Sequence, residues 1–119
     1  MKSRVIIMTI SKVKNETELT VFLEGRLESS AALKLESFLN DERDGVERLI
    51  FDMDKLNYIS SAGLRVLLSV NKELKSKGGA MKLINVDNNV EDVLMITGFR
   101  RTFAIDTKGG RSYNPELFK

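Results

Sequence analysis

Two stretches near the start of the chain carry the pattern of β-strands. Arg4 to Val13 is rich in β-branched residues, and Leu19 to Leu27 sets Leu19, Val21 and Leu23 on one face against Thr20, Phe22 and Glu24 on the other. The polar run Lys14-Asn15-Glu16-Thr17-Glu18 between them has the length of an antiparallel hairpin connection. After Gly25 the period becomes helical. Ala32, Leu35, Phe38 and Leu39 recur at helical spacing with Ser29 or Ser30 ahead of them as N-cap, so a helix is expected from about Ser30 to Asn40. The cluster Asp41-Glu42-Arg43-Asp44-Gly45 ends it. Val46 to Met53 then reads as a strand whose second half (Leu49, Ile50, Phe51, Met53) is nearly all apolar, the pattern of a strand covered on both faces.

The strongest helical pattern runs from Ala62 to Lys77. Leu64, Leu67, Leu68, Asn71 and Leu74 form one stripe, Val66 and Val70 widen it, and Gly78-Gly79 stops it. Ala80 to Val86 is a further strand. Asn88 with Glu91 three positions later matches a capping box for a short helix bearing Val90, Val93 and Leu94 and ending at Gly98. Thr102 to Asp106 reads as the last strand. The remainder, 107–119, with Gly109-Gly110 and Pro115, is expected to be a loose tail beyond a single domain spanning 1–106. The order β-β-α-β-α-β-α-β contains no repeat. Its β-α-β-α-β centre requires crossover helices and therefore parallel strands, while the opening hairpin is antiparallel. The fold class is α/β: one domain with a mixed, mainly parallel sheet flanked by helices. Pattern alone leaves open whether those helices cover one face or both.

Composition narrows the chemistry. At 119 residues, 42% apolar and 30% charged, the chain suits one hydrophobic core that folds alone. It has no cysteine and no histidine, which excludes disulfides, thiolate nucleophiles, haem ligation and the usual zinc sites. Asp52, Asp54 and Glu28 could be imagined as a magnesium cluster or an acid/base pair, but no nucleophile or oxyanion arrangement accompanies them, and they read as solvated loop carboxylates. No metal, cofactor or enzymatic activity is expected. The methionines are spread over strand and helix core positions, Gly78-Gly79 is a helix stop and not a phosphate loop, and Arg100-Arg101 reads as a solvated loop.

Val5 to Met8 and Val66 to Leu68 are far too short to span a bilayer. Lys2 and Arg4 precede the first of these runs, but Thr9, Ser11 and Lys12 interrupt it and no small-residue cleavage site follows, so the expected location is the cytoplasm. A formal charge of +2, with basic residues scattered among acidic ones, gives no stripe for a phosphate backbone and makes nucleic acid an unexpected partner.

The most informative stretch runs from Asp52 to Arg65 and joins the most apolar strand to the best helix. In open α/β sheets, ligands and partners meet the loops beyond the carboxyl ends of strands. Ser60 and Ser61 stand at that helix start, where either can act as a plain N-cap worth about 1 kcal/mol. Capping alone explains a serine there.

Four segments together resemble the STAS family, named for sulfate transporters and anti-sigma factor antagonists. They are Gly25-Arg26-Leu27-Glu28-Ser29-Ser30, Ile59-Ser60-Ser61-Ala62-Gly63-Leu64-Arg65-Val66-Leu67-Leu68, Gly78-Gly79-Ala80-Met81-Lys82-Leu83, and Leu94-Met95-Ile96-Thr97-Gly98-Phe99. Each is weak alone, and their order and spacing over roughly Thr9 to Asp106 make the set specific. The resemblance implies an anti-sigma factor antagonist that works by binding, switched when a partner anti-sigma factor with serine kinase activity phosphorylates the helix-start serine. Aligned on Gly63-Leu64, the family's Asp-Ser-(Ser/Thr)-Gly-Leu pattern puts the acceptor on Ser61, with Ser60 as the alternative. Ala62 falls at the Ser/Thr position, and Ser60 stands where many members have aspartate. The implied partner-binding edge comprises Glu28, Ser29, Ser60, Ser61, Ala62, Gly63, Leu64 and Arg65. Two other functions fit the same resemblance: a constitutive subunit of a signalling scaffold or lipid-transport complex, and a nucleotide-binding protein.

Overall fold

The computed structural model describes residues 8–113. The polypeptide runs β1 (Thr9–Asn15), β2 (Glu18–Leu27), α1 (Ser29–Glu42), β3 (Arg48–Ile59), α2 (Ser61–Ser76), β4 (Ala80–Val86), α3 (Asn88–Ile96), β5 (Ala104–Thr107) and β6 (Ser112–Tyr113). The strands form one sheet in chain order, β1-β2-β3-β4-β5-β6. The pairs β1/β2 and β5/β6 are antiparallel, and the three central pairs are parallel. The hairpin is tighter than its polar sequence suggests. Asn15 pairs with Glu18, leaving Glu16 and Thr17 as a two-residue turn with Glu16 at positive φ. Residues Arg4 to Ile7 of the expected first strand lie outside the described residues.

Each helix links neighbouring parallel strands, and every crossover steps the same way across the sheet. Right-handed crossovers then lay all three helices on one face. Burial agrees with this. Leu19, Val21 and Leu23 of β2, Leu49, Phe51 and Met53 of β3, and Met81 and Leu83 of β4 are buried, whereas the alternating Thr20, Phe22, Ile50, Asp52 and Lys82 are half-buried or exposed. The expectation that β3 is covered on both faces is therefore corrected. Its apolar run arises because Ile50 stands on the open face, shielded only by its strand neighbours.

β3 also extends to Ile59, six residues past the expected Met53. Two register irregularities against β2, between Phe22 and Glu24 and between Gly25 and Arg26, keep Leu56 and Ile59 on the buried face after Met53. Gly25 takes φ of 115° at this point, a conformation that side-chain-bearing residues rarely adopt. The bulges hide this extension from a two-residue pattern search; Asp54 lies in it, and both Asp52 and Asp54 are strand residues where solvated loop carboxylates were expected. Asp52 accepts from the Asp54 backbone N–H and from Asn85 Nδ2, both at 3.0 Å, and Asp54 pairs with Lys108.

Two of the helices, α1 and α3, start one residue away from their expected caps. α1 begins at Ser29 with Glu28 as N-cap, without a side-chain cap bond, and runs to Glu42. In α3 the cap is Asp87, whose carboxylate accepts from the Val90 N–H at 3.0 Å, and not Asn88. Glu91, expected to close a capping box, is buried and turned to another task.

That task is to hold the end of the chain. The last expected strand runs Ala104–Thr107 and turns through 108–111 into β6, so 107–113 is an ordered turn and strand where a loose tail was expected; residues 114–119 lie outside the described part. Glu91 receives a hydrogen bond from the Arg111 guanidinium and another from the Tyr113 hydroxyl at 3.0 Å, while Arg100 lies 4.7 Å above the Tyr113 ring. The Arg111 bond, aided by Tyr113, holds the Glu91 carboxyl below its ordinary value of 4.5 despite the opposing effect of burial.

Replacing Glu91 by Ala is expected to cost about 2 kcal/mol, the scale of a hydrogen bond to a charged group. Because the folded carboxyl is the stronger acid, its contribution is complete at neutral pH and disappears as pH falls below 4.5 through the lowered folded value. Urea unfolding of the wild type and Glu91→Gln should therefore show a stability gap at pH 7 that narrows towards pH 3.

Candidate functional site

The carboxyl ends of β2 and β3 lie side by side, with Arg26 opposite Tyr58 and Leu27 opposite Ile59. The next residue on each strand opens a helix, Glu28 for α1 and Ser60 for α2. One backbone bond joins the two exits: the Ser60 N–H donates to the Leu27 carbonyl at 2.9 Å. This brings the two segments of the expected binding edge together from positions some thirty residues apart in sequence.

At the start of α2 the two serines have different tasks. Ser60 has extended backbone geometry, its Oγ accepts from the Gly63 N–H at 3.3 Å, and its carbonyl accepts from the Leu64 N–H at 2.9 Å. It is the N-cap. Ser61 is the first helical residue; it is exposed, and its hydroxyl has no hydrogen-bond partner among the described residues. Sequence could not separate the two, since either serine suits a helix start.

Gly63 faces inwards. A Cβ there would lie 2.6 Å from Leu27 Cγ and 2.8 Å from the Leu27 carbonyl oxygen, so only glycine lets α2 approach the end of β2 this closely. Leu64 is buried as well. These two residues of the expected binding edge support the surface from beneath, and the residues that present it are Glu28, Ser29, Ser61 and Arg65, all exposed, with Ser60 and Ala62 half-buried.

Two residues outside the expected set complete the neighbourhood. Arg26 lies 4.1 Å above the Tyr58 ring and pairs with Glu28 at 2.9 Å. The stacking fixes the Arg26 guanidinium and, through it, the Glu28 carboxylate. Their alternation along β2 and β3 was the available signal, and the bulges after Phe22 and Gly25 broke it. On the other side of Ser61, a groove of about 230 Å³ runs between α1 and α2, lined by Ser29, Leu33, Glu36, Ala62, Arg65 and Ser69. Leu33 at its edge is 69% exposed.

Among the described residues no cluster of carboxylates could hold a metal ion, and no helix is long and apolar enough to cross a membrane. Asp52 and Asp54, the residues that suggested a metal or acid/base pair, are taken up by Asn85, Lys108 and the backbone.

Ser60→Ala should destabilise the fold by about 1 kcal/mol through loss of the cap. Ser61→Ala should change stability by less than about 0.5 kcal/mol, as for an exposed substitution. Chemical denaturation of the two variants checks this.

The STAS domain model matches residues 9–110. BtrV of Bordetella bronchiseptica, a protein provisionally named an anti-sigma factor antagonist, is 36% identical over 99 residues, covering 82% of this chain and 85% of its own length. The anti-sigma factor antagonist SpoIIAA in its unphosphorylated form superposes with a TM-score of 0.71 at 18% identity, over 86% of this chain and 90% of that one. The Bacillus cell fate determinant SpoIIAA in its phosphorylated form superposes at 0.65 with 17% identity, over 86% and 93% of the two chains. With a family match across almost all described residues and a relative above one-third identity, the chain belongs to the STAS domain family.

Proposed function

We propose that this chain is an anti-sigma factor antagonist of the cytoplasm, acting by binding and switched by phosphorylation of Ser61 by a partner anti-sigma factor with serine kinase activity. The observation that carries the reading is the division of labour at the start of α2. Ser60 holds the cap, so the Ser61 hydroxyl is left exposed and unengaged within a surface formed by Glu28, Ser29 and Arg65. The similarity to BtrV and the fold shared with SpoIIAA support the partner class.

In the transfer step the Ser61 oxygen attacks the γ-phosphorus of ATP held by the partner. The new O–P bond forms as the bond to the β–γ bridging oxygen breaks, ADP leaves, and the serine proton passes to a base that the kinase supplies. This chain contributes the acceptor and its positioning.

The added group carries about −1.5 to −2 charges and sits on the positive end of α2, so the fold tolerates it. Its effect falls on docking. Each tenfold loss of affinity requires only about 1.4 kcal/mol, which desolvating a phosphate beside Glu28 within an interface readily exceeds. Binding is thus reversed without unfolding.

Incubation with the cognate anti-sigma kinase and ATP should place one phosphate on Ser61 by mass spectrometry. Ser61→Ala should abolish it and Ser60→Ala should retain it. Ser61→Asp should weaken the complex at least tenfold in calorimetry. No phosphate on either serine together with no complex in the absence of ATP rules the reading out, and a stable complex indifferent to Ser61→Asp identifies a constitutive assembly subunit instead.

A further inference from the structure

Arg65 stands apart from the other described arginines. Arg26, Arg43, Arg48 and Arg111 pair with carboxylates, Arg100 lies over an aromatic ring, and Arg101 is also engaged. Arg65 has no hydrogen bond or ion pair among the described residues, although it is exposed and lines the α1/α2 groove together with the Glu36 carboxylate. It lies one helical turn after Ser61, so the two side chains share a face of α2. The cap between β3 and α2 is a neutral serine and the Glu28 carboxylate is paired with Arg26, so neither holds this guanidinium.

We propose that Arg65 is the responding element of the switch. In the unmodified chain its guanidinium is available to a carboxylate of the docking partner; in the Ser61-phosphorylated chain it turns to the phosphate one turn back and leaves that carboxylate unpaired. The inference rests on the reading of Ser61 as the modified hydroxyl. An anion four residues ahead of a cation is the favourable order along a helix, and the guanidinium fork matches phosphate oxygens in two-point contact. Phosphorylation then acts by withdrawing an attraction as well as by adding a repulsion. It also draws the Arg65 side chain off the groove shared with Ser29 and Leu33, so that one modification alters both halves of the docking surface.

The test needs no kinase. Phosphoserine is incorporated at position 61 during synthesis, and the second ionisation of the phosphate is followed by ³¹P NMR in the wild type, Arg65→Ala, Arg65→Lys and, as a distant control, Arg43→Ala. With Arg65 in place the ionisation should occur about 0.3 pH unit or more below that of Arg65→Ala, the scale of an exposed ion pair one turn apart. Arg65→Lys should fall between the two and Arg43→Ala should match the wild type. In about 1 M salt, where screening reaches roughly 3 Å, the gap should shrink. Equal titration of the wild type and Arg65→Ala overturns the proposal. Because the phosphate is installed chemically, that result stands whatever the kinase does, and failure of the kinase to modify Ser61 overturns only the switch reading above.

Discussion

The site depends on how closely the first turn of α2 lies against the end of β2. Gly63 has no room for a Cβ beside Leu27, and the Ser60 N–H closes the gap by bonding the Leu27 carbonyl. Separating these two exits by the width of a methyl group would move Glu28 and Ser29 away from Ser61 and Arg65. The arrangement is stiff because its contacts are backbone contacts, and under the switch proposed above that stiffness would let the surface change charge without changing shape. A phosphate on Ser61 would have little slack to absorb, so its charge would act on the partner and on neighbouring side chains before it acted on the fold.

The one-sided sheet makes this joint possible. Three crossovers stepping in the same direction put α1 and α2 next to each other on the same face, in mutual contact, and their N-termini emerge from adjacent strands. The long β3 carries the start of α2 beyond the end of β4, whose pairing with β3 stops at Asp52 and Ile84. Two bulges keep Leu56 and Ile59 in the core along this extension and turn Tyr58 to the face where Arg26 stacks on it. At the β6 edge of the sheet, Glu91 anchors the last strand through Arg111 and Tyr113, adding polar contacts to the buried Phe103 and Ile105.

Much of this was legible in sequence, for local reasons. The helical stripe of α2, the alternation of β2 and the Gly78-Gly79 stop are set by side-chain periodicity and backbone freedom, which act within a few residues. The alternating strand and helix pattern required a mainly parallel sheet with an antiparallel start. Four short motifs were enough to reach the family, and to place Ser60 and Ser61 at a helix start.

Other features were decided only when distant segments met. Bulges in β3 exist relative to β2, so no pattern within Asp54 to Ile59 reveals that strand or the Arg26–Tyr58 pair. The one-faced cover of β3 follows from strand order, which an apolar run does not encode. Ser60 rather than Ser61 became the cap because its backbone is extended by its bond to Leu27, and Gly63 and Leu64 became supports rather than surface because α2 packs on that same residue. The chain by itself determined which residues have helical or strand chemistry; the tertiary structure decided which of them are left exposed, because exposure depends on what packs against a residue and not on what it is.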